Sequence, residues 1–199
     1  MARAFKRRQG GYVAGLSAEE RAVLAWLMQQ VLELLTPPEQ VARDGFEQML
    51  ADAGLALDAG VVISDLDAPD RDPALDRLLP DAHRDDPLVA VEFRRLVGPG
   101  LRETKAANLT AAIAALEAAN GAKLVLDDEG ARVVTVALTD VRLVVGERLG
   151  LRDDEDMTRL ERQATSGELE EERAWLLSVY DFLTWLQESL TMAMLDGLS

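Results

Sequence analysis

The sequence predicts a mainly α-helical protein: a bundle of about six helices with a small antiparallel β patch near the N-terminus. Three observations predict it. Apolar residues recur at helical spacing through most of the chain. Helix-start signals precede those runs, at Ser17, at Asp86-Pro87 and at Asp127 or Asp128. The strand signals are short, and the clearest are FKRRQGGYVAGL (5–16) and KLVLD (123–127).

Taken in order, residues 5–16 read as a hairpin about the Gly10-Gly11 turn. Ser17 and Glu20 form a capping box, S-x-x-E, that satisfies two orphan amides at the start of a helix over 18–35. Val23, Trp26, Leu27, Val31 and Leu34 give it one apolar face, and Leu24, Met28, Leu32 and Leu35 fill the next. A helix apolar over most of its circumference is central or sits in an oligomer interface. Pro37 and Pro38 end it. EQVARDGFEQMLADAG (39–54) supports a helix that buries Val41, Phe46, Met49 and Leu50. Residues 55–72 read as an acidic loop with a short strand at VVI. DLDAPD (65–70) is like a calcium loop, but Pro69 occupies a ligand position and the central glycine is missing, so no metal is expected. PALDRLL (73–79) is a short helical piece.

Asp86-Pro87 starts a helix that carries Val89, Phe93 and Leu96 inward and stops at Gly98-Pro99-Gly100. An Ala-rich helix follows over 101–120, with Leu109, Ile113 and Leu116 inward, and Gly121 ends it. KLVLD adds a third strand to the hairpin. ARVVTVALTDVRLVV is rich in β-branched residues, but Val134, Leu138, Val141, Val145 and Leu149 keep the helical period, which predicts a helix over 129–149. DDEDMTRLERQA gives a short exposed helix. The last helix spans 168–195, with Leu176, Val179, Leu183, Leu186 and Leu190 toward the core and Trp175, Phe182 and Trp185 beside them. No linker divides the chain, so residues 1–199 are read as a single helical domain.

Composition excludes several functions. There are no cysteines, which removes disulfides and thiolate metal sites. The longest clean apolar run, AVLAWLM, is too short to cross a bilayer, and no apolar segment follows the basic MARAFKRR. A cytoplasmic protein is expected. The formal net charge of −15 disfavours nucleic acid. DNA binding through Arg3, Lys6, Arg7 and Arg8 is the weakest of the readings considered. The acidic stretches 58–86 and 151–172 read as solvated connection or helix surface. No phosphate-cradling loop or nucleophile elbow occurs. With a single histidine, the paired Glu-x-x-His motifs of a di-metal bundle are impossible. No catalytic residue, cofactor or metal is therefore predicted.

Two sets of residues merit weighing. His83, flanked by Asp81, Asp85 and Asp86, could titrate near neutrality as a base or a pH switch. The plainer reading, a polar turn before the Asp86 cap, is preferred. Arg142 lies in apolar DVRLVV, where a guanidinium must reach solvent or find a carboxylate. Asp181, in equally apolar VYDFLTW, is the candidate partner. Arg94 and Arg95 lie late on their helix. An ion-pair network that fixes bundle register is preferred. The alternative is a small-ligand or anion pocket, of a binding protein or an enzyme, between helices and lined by Arg94, Arg95, Lys105 and Arg142.

LLPDAHRDDPLVAVEFRRL (78–96), Lys105, DVRLVVGERLGL (140–151) and YDFLTWLQESLTMAML (180–195), in that order, resemble an uncharacterised actinobacterial family, domain of unknown function number two thousand and seventeen. The likeness runs from about residue 1 to 195 and is weakest over 37–72. Tyrosine is common in that family where His83 stands, which argues against shared imidazole chemistry. The family has no established activity. The resemblance implies a gene context beside the Clp-protease adaptor and near a metallopeptidase, a sulfur-carrier protein and a cysteine synthase, and some members carry the label of regulator. The expectation is a non-catalytic interaction or regulatory protein that forms a homo-oligomer, with a protein partner and the Clp-protease adaptor as the candidate.

Overall fold

The computed structural model describes residues 2–36, 71–80 and 87–196, with side chains described at all of these except 87–95. The readings at 39–54, VVI, DLDAPD and His83 lie outside the described residues. The elements run β1 (Arg3–Arg8), β2 (Gly11–Gly15), α1 (Ala18–Leu35), α2 (Pro73–Leu78), α3 (Pro87–Ala118), β3 (Lys123–Leu126), α4 (Asp128–Leu149), α5 (Asp154–Ser166) and α6 (Glu171–Leu195). Among the described residues, six helices and a three-stranded antiparallel sheet agree with the predicted class.

The sheet order is β1-β2-β3. Even positions of β2 point inward: Tyr12 and Ala14 are buried with Leu124 and Leu126 of β3 and Phe5 of β1. Gly11 has φ +132°, and a Cβ there would collide with the Leu126 carbonyl oxygen, so only glycine fits. The capping box at Ser17 forms: its amide donates to Glu20 Oε2 at 2.8 Å, and the Glu20 amide donates to Ser17 Oγ at 3.2 Å.

Helix α4 is the central member and packs against α1, α2, α3 and α6. Asp127 caps it by accepting from the Gly130 amide at 2.7 Å. All five positions read as its apolar face, Val134, Leu138, Val141, Val145 and Leu149, are buried. In α1 the core takes Leu24, Leu27, Met28, Val31 and Leu35. Val23 and Trp26, read as part of the buried face, are 41% and 52% exposed. The buried stripe takes Leu27 and Val31 from that face and Leu24, Met28 and Leu35 from the next, so packing against α3 and α4 centres it between the two and leaves Val23 and Trp26 outside.

The Gly98-Pro99-Gly100 stop is corrected. Helix α3 runs through it without a break, with Pro99 inside. A proline removes one hydrogen bond, that to the Arg95 carbonyl, and one missing bond does not end a helix that continues on both sides. Leu109, Ala112 and Leu116 of α3 enter the core, while Leu96, expected inward, is 72% exposed. In α6 the core takes Leu177, Val179, Leu183, Leu186, Leu190 and Ala193. The short acidic helix α5 buries Leu160 alone among its described residues.

Candidate functional site

Lys105 and Arg142 lie against different faces of α4. Residues 140 and 142 lie about 200° apart on a helix. Asp140, 1% exposed, accepts from Lys105 Nζ of α3 at 2.5 Å. Burial raises the Asp140 carboxyl above its ordinary value, and the Lys105 hydrogen bond and charge pull it part of the way back. Its second oxygen, Oδ2, is buried and has no hydrogen-bond partner.

On the other side, Arg142 faces α6. Its Nη1 donates to Gln187 Oε1 at 2.8 Å and its Nη2 to Tyr180 Oη at 3.4 Å, and the guanidinium carbon stands 5.2 Å from the Tyr180 ring centroid. Gln187 in turn donates to Thr139 Oγ1 at 2.6 Å. The Arg142 guanidinium therefore finds an amide and a phenol ring rather than Asp181. Asp181 points elsewhere: desolvation, and then the charge of Glu161 on α5, hold its carboxyl above the usual range. Lys105 and Arg142 take their partners on different sides of α4, and the side chains of Arg94 and Arg95 lie outside the described residues.

An ion-pair network that the sequence reading missed ties α2 to the end of α4. Glu147, whose side chain is nearly buried, accepts from Arg77 Nε at 2.9 Å and from Arg152 Nη2 at 2.6 Å. Arg148 grips Asp72 with two parallel bonds of 2.9 and 2.5 Å. The Arg148 hydrogen bond holds Asp72 below the ordinary carboxylate range. Arg21 performs a similar task between α1 and the end of α3, donating to the carbonyls of Leu16, Ala119 and Gly121 at 2.6 to 3.1 Å. These contacts join residues 70 or more positions apart, apart from Arg21 to Leu16 and Arg152 to Glu147. Spacing in the sequence carries no signal for such pairs.

Two surfaces remain. One is the outward side of α1, where Trp26 stands beside a groove of about 480 Å³ lined by Ala18, Ala22, Ala25 and Ile113, with Arg21 and Glu117 at its rim. The other is the outer face of the sheet. Among the described residues, no group of three His, Cys, Asp or Glu side chains could hold a metal ion. No described helix is long and apolar enough to cross a membrane.

A family model described as "Domain of unknown function (DUF2017)" matches residues 2–194. No curated protein and no solved structure matches the chain.

Proposed function

Since the chain belongs to the DUF2017 family, to which no function is attached, we propose that it is a non-catalytic protein-interaction module that self-associates through the outward side of α1. The observation that carries this reading is Trp26. Its ring is half exposed on a helix whose opposite side already supplies the core. The groove next to it is walled by alanines, so a two-fold contact can seat each Trp26 in the other copy's groove. Such a contact is self-complementary, as a symmetric dimer requires. Covering the exposed part of one indole, about 100 Å² of apolar surface, contributes about 2–3 kcal/mol. Gln29 and Glu117, which also line the groove, offer polar contacts to the facing copy.

Sedimentation velocity over a range of protein concentrations tests the reading. Wild type is expected to dimerise, and Trp26→Glu to remain monomeric with unchanged helical circular dichroism. A strict monomer at every concentration removes it. The wider role proposed is regulation in the cytoplasm through a protein partner. The Clp-protease adaptor is the first candidate, from the gene context of the family. Calorimetric titration of the two purified proteins tests that partner, and no heat of binding at tens of micromolar removes it.

A further inference from the structure

The outer face of the sheet carries a second surface, separate from α1. Cross-strand partners share a face, and the register sets Lys6 beside Val13 and Val125, and Arg3 beside Gly15 and Lys123. Simple alternation would put Arg3 and Lys6, three residues apart, on opposite faces. An irregularity in β1 between them inserts one extra residue and brings both outward. The Arg3 side chain then lies across Gly15, within 2.7 Å of where a Cβ would stand. Arg8 and the half-exposed Trp185 of α6 complete the same shallow groove, of about 810 Å³.

None of Arg3, Lys6, Arg8 and Lys123 is in an ion pair among the described residues. Elsewhere in the fold Arg77, Lys105, Arg132, Arg148, Arg152 and Arg159 each pair with a carboxylate. Four unpaired cations on one face of a chain with net charge −15 form a local field of opposite sign, suited to an anionic partner. Val13, Val125 and Trp185 lie between and beside the charges, so the surface is not purely electrostatic.

We propose that this face docks a short extended acidic peptide segment of a partner protein, one that carries apolar side chains in pairs among its carboxylates. A strand presents every second side chain to one face, so a segment with its acidic and apolar residues in neighbouring pairs offers both kinds to this surface. Three strands span only about 10 Å across the sheet, the width of one or two extended chains. Beyond the hairpin turn stand Asp127 and Asp128, beside Arg7 and Arg8. A long polyanion such as single-stranded nucleic acid would run into those carboxylates, whereas a short peptide ends before them.

The test is fluorescence anisotropy at 50 mM salt with a fluorescein-labelled Glu-Glu-Leu-Leu-Glu-Glu peptide (the Glu-Leu peptide), against the same peptide with serine for leucine (the Glu-Ser peptide), the same with lysine for glutamate (the Lys-Leu peptide) and a ten-residue oligothymidylate. Saturable binding of the Glu-Leu peptide is expected, with the Glu-Ser peptide at least three-fold weaker and no binding of the Lys-Leu peptide. The triple variant Lys6→Glu, Arg8→Glu, Lys123→Glu should weaken it ten-fold or more, Trp185→Ala by at least three-fold, and Lys6→Arg with Lys123→Arg should leave it intact. No saturable binding, equal binding by the charge-reversed variant, or tighter binding of the oligothymidylate overturns the proposal. The charge-reversed residues lie off α1, so sedimentation of the same variant reads self-association independently.

Discussion

Lys105 and Asp140 face each other at 2.5 Å inside the bundle and join α3 to α4. With its second oxygen unpartnered and buried, the carboxylate loses hydration that one hydrogen bond does not restore. Such pairs add little net stability but are costly to break from one side. Asp140→Leu, which leaves the Lys105 ammonium without its partner, is expected to destabilise by about 3–5 kcal/mol. The double change Asp140→Leu with Lys105→Met should stay within about 1 kcal/mol of wild type, or exceed it. Urea unfolding of wild type and both variants checks this, and a double variant as damaged as the single one refutes it.

Acid should release α2 before the bundle. Arg148 lowers the Asp72 carboxyl in the folded state. That contribution is complete above the unfolded value, about 3.9, and is lost as pH falls through the lower folded value. Asp140 has the opposite sign. Its carboxyl is raised by burial, so the penalty on its charged form grows as pH rises from the unfolded value through the folded one, and acid relieves it. Hydrogen exchange at residues 73–79 is expected to accelerate toward pH 3 more than exchange at 131–145. Arg148→Met should give fast exchange of α2 already at neutral pH. Equal acceleration of both helices would count against the assignment.

The unbroken course of α3 makes a sharp prediction at its glycine. A Cβ at Gly100 would meet nothing within 4 Å, so Gly100→Ala should stabilise by about 0.5–1 kcal/mol through helix propensity. Pro99→Ala restores the amide that the Arg95 carbonyl lacks and should stabilise by up to about 3 kcal/mol. Thermal unfolding reads both. A fall in melting temperature in both variants would mean that residues 98–100 form a break rather than a helical turn.

What the sequence made legible follows from where the physics is local. The period of Val134 to Leu149 identified α4 against its β-branched composition, since only a helix brings those five residues to one face. The Ser17 and Asp127 caps were readable because each cap and its amide lie three residues apart. Trp26 was misplaced because α1 is apolar over most of its circumference, and α3 and α4 decide which arc of it is buried. Gly98-Pro99-Gly100 was taken for a stop because local signals do not weigh the continuing helix on either side. For Arg142 the sequence offered a carboxylate, Asp181, but one residue away Tyr180 and its heptad neighbour Gln187 share the facing side of α6. That seven-residue spacing was the available clue. Glu147 with Arg77, and Asp72 with Arg148, had none.

The sheet that carries the proposed docking face depends on one backbone position. Gly10 and Gly11 both have positive φ, at +99° and +132°, but their surroundings differ. A Cβ at Gly10 meets nothing within 4 Å, whereas one at Gly11 meets the Leu126 carbonyl oxygen and carbon, both backbone atoms that cannot swing aside. Gly10→Ala should therefore cost only backbone strain, about 1–2 kcal/mol. Gly11→Ala must in addition push β3 away from β2, which breaks the pairing of Tyr12 with Leu126 and of Val13 with Val125. Its loss of stability should exceed that of Gly10→Ala by a factor of two or more in urea unfolding. It should also abolish binding of the Glu-Leu peptide while Gly10→Ala retains it, because Val125 and Lys123 belong to the docking face only while β3 stays paired.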